Sequence, residues 1–255
     1  RLDYSLHRFP KPVVGLARGI VMGGGLGLLS ACRYRLVTPD VTLAMPEISI
    51  GLFPDVGASW FLNRLPGRLG LFMGLTGARL NVADTLRVGL ADLVIDAGQI
   101  ETLLARLLNQ VEALDYRGLV PGHLEQHEQT IARLTAGTEL PAIIEQILAA
   151  DIDDPWWQTC AENLKNGCPV TAWLVWHQLR KGQQMSLKDI FRMELAMALE
   201  CTRRPDLAEG IRAVLVDKDK APVWSFKSTR DVPDEVIERH FEPGWDDLND
   251  PIQLD

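Results

Sequence analysis

The sequence predicts an α/β protein whose second half turns mainly helical, and three observations carry that reading. Short β-rich runs alternate with glycine- and proline-punctuated apolar segments as far as about Ala97. Three consecutive glycines, Gly23-Gly24-Gly25, stand between such a run and an apolar segment without β-branching. From about Gly98 the apolar residues recur at helical spacing over long stretches. The expected organisation is therefore residues 1–97 as an α/β core and 98–255 as a mainly helical region ending in an acidic tail.

In chain order, Leu2, Leu6 and Phe9 fall at helical spacing before Pro10, like the tail of an amphipathic helix. Because the chain opens on Arg1 without a methionine, an upstream portion is expected to be absent. Pro12 to Ala17 reads as a strand, the glycines as a turn, and Leu26 to Cys32 as a helix. Arg35 to Thr38 and Val41 to Ala44 read as two strands broken by Pro39-Asp40. Ser59 to Leu65 and Arg68 to Thr76 read as helices parted by Pro66-Gly67, and Asn81 with Asp84 has capping-box logic. Asp92 to Ile95 is a last short strand. Helices are then expected over Ile100 to Leu114, Ala142 to Ala150, Thr171 to Arg180 and Leu187 to Arg203, the last capped by Ser186. Glu242 to Asp255 is poor in apolar residues and reads as a loosely held tail.

Composition narrows the function. A chain of 255 residues, 47% hydrophobic and 24% charged, can bury a substantial core. Its net charge of −8 disfavours a general nucleic-acid or anionic-membrane surface, and no apolar run reaches membrane-spanning length. Cys32, Cys160, Cys168 and Cys201 form no C-x-x-C pair, so reduced thiols in an intracellular compartment are expected.

Several site motifs fail on inspection. Gly19 and Gly24 have the P-loop spacing, but Gly25 and Leu26 stand where lysine and a hydroxyl residue must be. No G-x-G-x-x-G occurs. His123 and His127 have zincin spacing without the glutamate base, since Leu124 follows the first, and two surface histidines are the better reading. Ser59 lacks the second glycine of a nucleophile elbow. The tryptophans of the helical half read as packing residues.

Two features remain. With no Cβ on the triplet and a helix starting there, free N–H groups gather at a positive helix end, as an oxyanion hole or phosphate cradle would use. Glu47 and Asp55, eight residues apart, each follow a proline in a run of Met, Ile, Leu, Phe and Val. Burial there would raise their pKa values toward the range useful for proton transfer. The alternative is a pair of turn residues at Pro-Glu and Pro-Asp dipeptides. Glycoside hydrolysis also employs two carboxylates, but it gives the glycines no role.

The stretches Gly19-Ile-Val-Met-Gly-Gly-Gly-Leu-Gly27, Met45-Pro-Glu47, Ile50-Gly-Leu-Phe-Pro-Asp-Val-Gly57 and Leu75-Thr-Gly-Ala-Arg79 resemble the crotonase (enoyl-CoA hydratase/isomerase) superfamily. The likeness continues through Ala83 to Val94, returns at Glu209 to Trp224, and is closest to the 3-hydroxyisobutyryl-CoA hydrolase branch. It implies a ββα superhelical core, with the core's N-terminal part absent from this chain and with it the second oxyanion N–H. By resemblance Gly23 and Gly24 bind the substrate and Gly24 N–H meets the thioester oxygen. Glu47 would then attack the carbonyl or activate water, and Asp55 would hold the acyl hydroxyl. Hydratases carry a glutamate where this chain has Gly27, so hydration is disfavoured.

The function so implied is hydrolysis of a small 3-hydroxyacyl-CoA, 3-hydroxyisobutyryl-CoA first among them, in valine and branched-chain amino-acid breakdown. No metal or redox cofactor is implied, since CoA is part of the substrate, and Lys218 and Lys220 are candidates for its phosphates. Neither a nucleic acid nor a membrane is an expected partner, and a homo-oligomer is compatible with the resemblance. The compartment would be the cytoplasm in a bacterium or the mitochondrial matrix in a eukaryote. A hydratase- or isomerase-like enzyme with altered acids, and a non-catalytic acyl-CoA-binding subunit, stay open as alternatives.

Overall fold

The computed structural model of the chain describes residues 1–99, 120–245 and 251. The predicted helix Ile100 to Leu114 and most of the acidic tail lie outside the described residues.

After α1 (Leu2–Arg8), the chain forms β1 (Val14–Ala17), β2 (Ile20–Met22), α2 (Gly24–Ala31), β3 (Tyr34–Val37) and β4 (Thr42–Ala44). Each pair of successive strands is divided between two sheets. β3 lies parallel on β1 in the register Val14↔Tyr34, and β4 lies parallel on β2 in the register Ile20↔Thr42. β5 (Leu93–Val94) then adds to the far side of β3. Two successive ββ units therefore stack turn on turn, the second closing each sheet against the first. The change of sheet is made at Gly19, held at φ 60°, and at the Pro39-Asp40 turn. β2 was not expected from the sequence, which ran it into the glycine turn. Three residues between Gly19 and Gly23 are too few to show a period of two.

From β4 the chain enters a 3₁₀ turn at Glu47–Ile50, then α3 (Ala58–Phe61), α4 (Leu69–Thr76) and α5 (Val82–Arg87). α4 is buried along its whole length, as a helix reading Leu-Gly-Leu-Phe-Met-Gly-Leu-Thr with no polar face must be. The capping box expected at α5 forms, Asn81 accepting from the N–H of Asp84 and Asp84 from that of Asn81.

The second half supplies α6 (His123–Leu134), α7 (Leu140–Ala149), α8 (Pro155–Asn166), α9 (Pro169–Gly182), α10 (Leu187–Arg203), α11 (Pro205–Ile211) and α12 (Asp234–Arg239). Proline at the first helical position starts α8, α9 and α11, where its missing N–H would have had no acceptor. α8 and α9 pack on α4, so one apolar core joins Leu43, Ile48 and Phe72 of the first half to Trp157 and Val175 of the second. Phe53, Leu174, Met197 and Cys201 form a second cluster. The four cysteines are free, and burial pushes the thiols of Cys160, Cys168 and Cys201 up to about 12. Among the described residues no helix is long and apolar enough to cross a membrane.

Candidate active site

The site is assembled where the two stacked units end. Because Met22 pairs with Ala44, the residues that follow each strand are brought side by side. One chain continues into Gly23 and α2, the other into Pro46 and Glu47. Gly23 sits at φ 51°, ψ −122°, and its N–H donates to the Ala44 carbonyl at 3.3 Å, tying the two strand ends together.

A Cβ on Gly23 would lie 2.8 Å from Glu47 Oε1, so glycine is required there for space as well as for conformation. The N–H groups of Leu26 and Gly27 donate to the Gly23 carbonyl at 2.9 and 3.1 Å. Those of Gly24 and Gly25, at the start of α2, have no acceptor within the helix and carry its positive end. A Cβ built on Gly24 meets nothing within 4 Å, which leaves that main chain open to approach.

Glu47 is 6% exposed, and its Oε2 has no hydrogen-bond partner in the protein. Burial pushes its pKa from 4.5 up to about 8, against the pull of its own main-chain N–H, and the charge of Asp55 adds to the rise. Such a carboxyl can exchange a proton near neutral pH. Asp55 is half-buried and also lies above the usual carboxylate range, through burial first and the charge of Asp3 in the same direction.

After Asp55 come two successive left-handed residues, Val56 at φ 54° and Gly57 at φ 86°. For a β-branched valine this is a strained conformation. It drives the Val56 side chain onto Gly27, where an added Cβ would lie 2.5 Å from Val56 Cβ. The segment bearing Asp55 thus fills the space that a side chain at position 27 would need.

Two further buried residues hold this segment, and neither was singled out in the sequence. Glu194 of α10, 4% exposed, accepts from Gly57 N–H at 2.7 Å and from Ser59 N–H at 3.0 Å. Burial raises its pKa to about 7, those two bonds oppose the rise, and Asp55 adds to it. Gln178 of α9, fully buried, donates from Nε2 to the Pro54 carbonyl at 3.1 Å. A signal for Glu194 was present: Ile190, Glu194, Met197 and Cys201 form one helical stripe with a single acid in it.

The other candidates fall elsewhere. His127 is 7% exposed, a correction to its reading as a surface residue. Its ring stacks on Trp156 at 5.4 Å between centroids and its Nε2 lies 3.4 Å from Asp154, so the tryptophan face covers it. His123 stacks on the same indole at 5.2 Å. Lys218 and Lys220 are exposed, both with positive φ, in a loop gathered round Arg212. The Arg212 guanidinium is engaged by Glu209, Asp217 and Asp219 at 2.8, 2.7 and 2.6 Å.

Comparison with known proteins places the chain among relatives of one family. A family model described as enoyl-CoA hydratase/isomerase matches residues 1–241. The mitochondrial 3-hydroxyisobutyryl-CoA hydrolase of Gallus gallus is 35% identical, over 97% of this chain and 68% of that protein. Its counterpart from Danio rerio is 34% identical, over 94% of this chain and 66% of the relative. The chain thus spans about two thirds of the length of these relatives. A solved structure titled as an enoyl-CoA hydratase from Rhodobacter sphaeroides superposes with a TM-score of 0.85 at 32% identity, covering 96% of this chain and 72% of that one. With the stacked ββ units, the glycine-started α2 and the match over nearly its whole length, the chain belongs to the enoyl-CoA hydratase/isomerase family.

Proposed function

We propose that this chain carries the catalytic groups of an acyl-CoA thioester hydrolase for a small 3-hydroxyacyl-CoA, 3-hydroxyisobutyryl-CoA being the substrate named in the relatives. In this reading Gly24 N–H receives the thioester oxygen, Glu47 makes the bond to the carbonyl carbon or takes a proton from the water that does, and Asp55 accepts from the acyl hydroxyl. The new C–O bond replaces C–S and the CoA thiolate leaves, taking up the proton that the attacking water gives up; where Glu47 itself forms the bond, water then cleaves the mixed anhydride and returns Glu47 as the carboxylate. Positioned N–H donors and a base of matched pKa are the groups that acyl transfer needs. No metal or redox cofactor enters the scheme. Its place would be in valine breakdown, and in the mitochondrial matrix if the source is a eukaryote, the chicken and zebrafish relatives being named as mitochondrial.

The observation that carries this reading is the packing of Val56 on Gly27. A hydratase of the family needs a second acid at position 27, and the Asp55 segment leaves no room for one. The site keeps Glu47 and offers Asp55 in its place. A purely acyl-CoA-binding subunit would have no use for a buried carboxyl titrating near pH 8.

The test is release of free thiol from 3-hydroxyisobutyryl-CoA. Glu47→Gln should lower turnover by on the order of a hundredfold or more with the fold intact. Near-normal hydrolysis by the folded variant would overturn the assignment.

A further inference from the structure

The main chain around Asp55 is held from both sides by the helical half of the molecule. Before it, the Pro54 carbonyl receives Gln178 Nε2; after it, the N–H groups of Gly57 and Ser59 both point at the Glu194 carboxyl. Between these anchors lie Asp55 and the left-handed Val56, followed by Gly57, itself left-handed and one of the anchors, a conformation that persists only where its surroundings over-determine it.

Glu194 is an expensive residue to keep for stability. Its two oxygens are spent on main-chain N–H groups rather than on a basic side chain, and the Asp55 carboxyl nearby disfavours its charge. An apolar residue on that stripe of α10 would avoid desolvating a carboxyl, but it would leave the N–H groups of Gly57 and Ser59 without an acceptor. What the acid supplies is direction: two bonds fix where Gly57 and Ser59 stand, and thereby where the chain two residues earlier points.

We propose that Glu194 and Gln178 are positioning residues that clamp the main chain on either side of Asp55 and so aim its carboxyl at the acyl hydroxyl. The second half of the chain thereby sets substrate selectivity at a carboxylate carried by the first. This rests on the reading of Asp55 as the acceptor for that hydroxyl.

The experiment measures kcat/KM for 3-hydroxyisobutyryl-CoA and for isobutyryl-CoA, which lacks the hydroxyl, in the full chain. Glu194→Gln and Gln178→Met are made singly and each in combination with Asp55→Ala. The ratio of the two constants should fall about tenfold in Glu194→Gln and in the same direction in Gln178→Met. In the Asp55→Ala background neither variant should change it by more than about twofold, because the acceptor they aim is gone. A ratio unchanged in the folded variants, an equal loss on both thioesters, or an effect that multiplies with Asp55→Ala overturns the clamp. If Glu194→Gln does not fold, Gln178→Met decides by the same criteria.

Absence of thiol release by the wild-type protein, assayed with the upstream portion that the resemblance implies, would count against the hydrolase reading, not against the clamp. Amide hydrogen exchange then tests the clamp by itself. Faster exchange confined to Gly57, Ser59 and their neighbours in Glu194→Gln supports it, and exchange unchanged there, or raised throughout the molecule, overturns it.

Discussion

Glu47 is asked to be both buried and reactive, and its stability cost has a definite pH signature. In the unfolded chain its carboxyl loses its proton near 4.5, whereas in the folded protein it keeps it to about 8. Between those values the folded state binds the extra proton, so rising pH lowers stability, by at most about 1.4 kcal/mol per pH unit from this group. Glu47→Gln removes the titration. The variant should melt higher than wild type, with a margin that is small at pH 5, grows to pH 8 and then levels off, as thermal melts across that range would show. A margin that stays flat from pH 5 to pH 8 would mean that Glu47 is already ionised in the folded protein across that range. Asp55 and Glu194 are raised in the same direction, so the wild-type slope should persist in part in the variant. At this scale much was legible in the sequence: Glu47 and Asp55 stand out as acids following proline in apolar surroundings. Glu194 needed its helix phase to be read against its charge. Gln178 carried no signal, because a neutral amide in an apolar stripe is common and its partner, the Pro54 carbonyl, belongs to a segment 124 residues away.

The elements that place these residues differ in how far their sequences announce them. Leu187–Arg203 is found where the pattern put it, because seventeen residues give a helical period room to repeat and Ser186 marks its start. Ile20–Met22 went unseen, and so did the 3₁₀ turn carrying Glu47, since structure this short is set by tertiary partners rather than by local pattern. α8 was not among the expected helices, though its tryptophans were read as packing residues, because only Trp157, Cys160 and Leu164 are buried in a largely polar helix. The glycine run shows the same division. That a helix begins there could be read from residue types, whereas the contact of Gly27 with Val56 could not, as it depends on a strained backbone. Gly27→Ala tests that contact directly. The added methyl must displace Val56, so a loss of about 1–3 kcal/mol of stability is expected in denaturant unfolding. The 3-hydroxyacyl substrate should suffer more than its deoxy counterpart, because Asp55 moves with Val56. A stability within error of wild type would show that the Val56 turn is looser than its packing indicates.

At the scale of the whole molecule, the helical half reaches the site by two routes. α9 and α10 hold the Asp55 segment, while α11 and the junction of α8 with α9 hold the turn that carries Glu47. Cys168 N–H donates to the Ile48 carbonyl at 3.0 Å, and Gly51, at φ 70°, lies against the Asp206 main chain. The closest approach is Gly210 of α11, where an added Cβ would fall 2.5 Å from Ile50 Cα. Since that contact is with main chain, a methyl there cannot be accommodated by turning a side chain aside. Helix and turn must part, and Glu47 shares its short turn with Ile50. Gly210→Ala is therefore expected to cost about 1–3 kcal/mol of stability and also to reduce kcat more than it raises KM, because a displaced bond-making group fails in the transition state before it fails in binding. Gly244→Ala is the matched control, since a Cβ there meets nothing within 4 Å, and it should leave both quantities unchanged. Melting temperatures with steady-state kinetics on both variants decide the matter. If Gly210→Ala loses stability but keeps its full kcat, α11 supports the fold without holding Glu47, and the helical half acts on the site through the Asp55 segment instead.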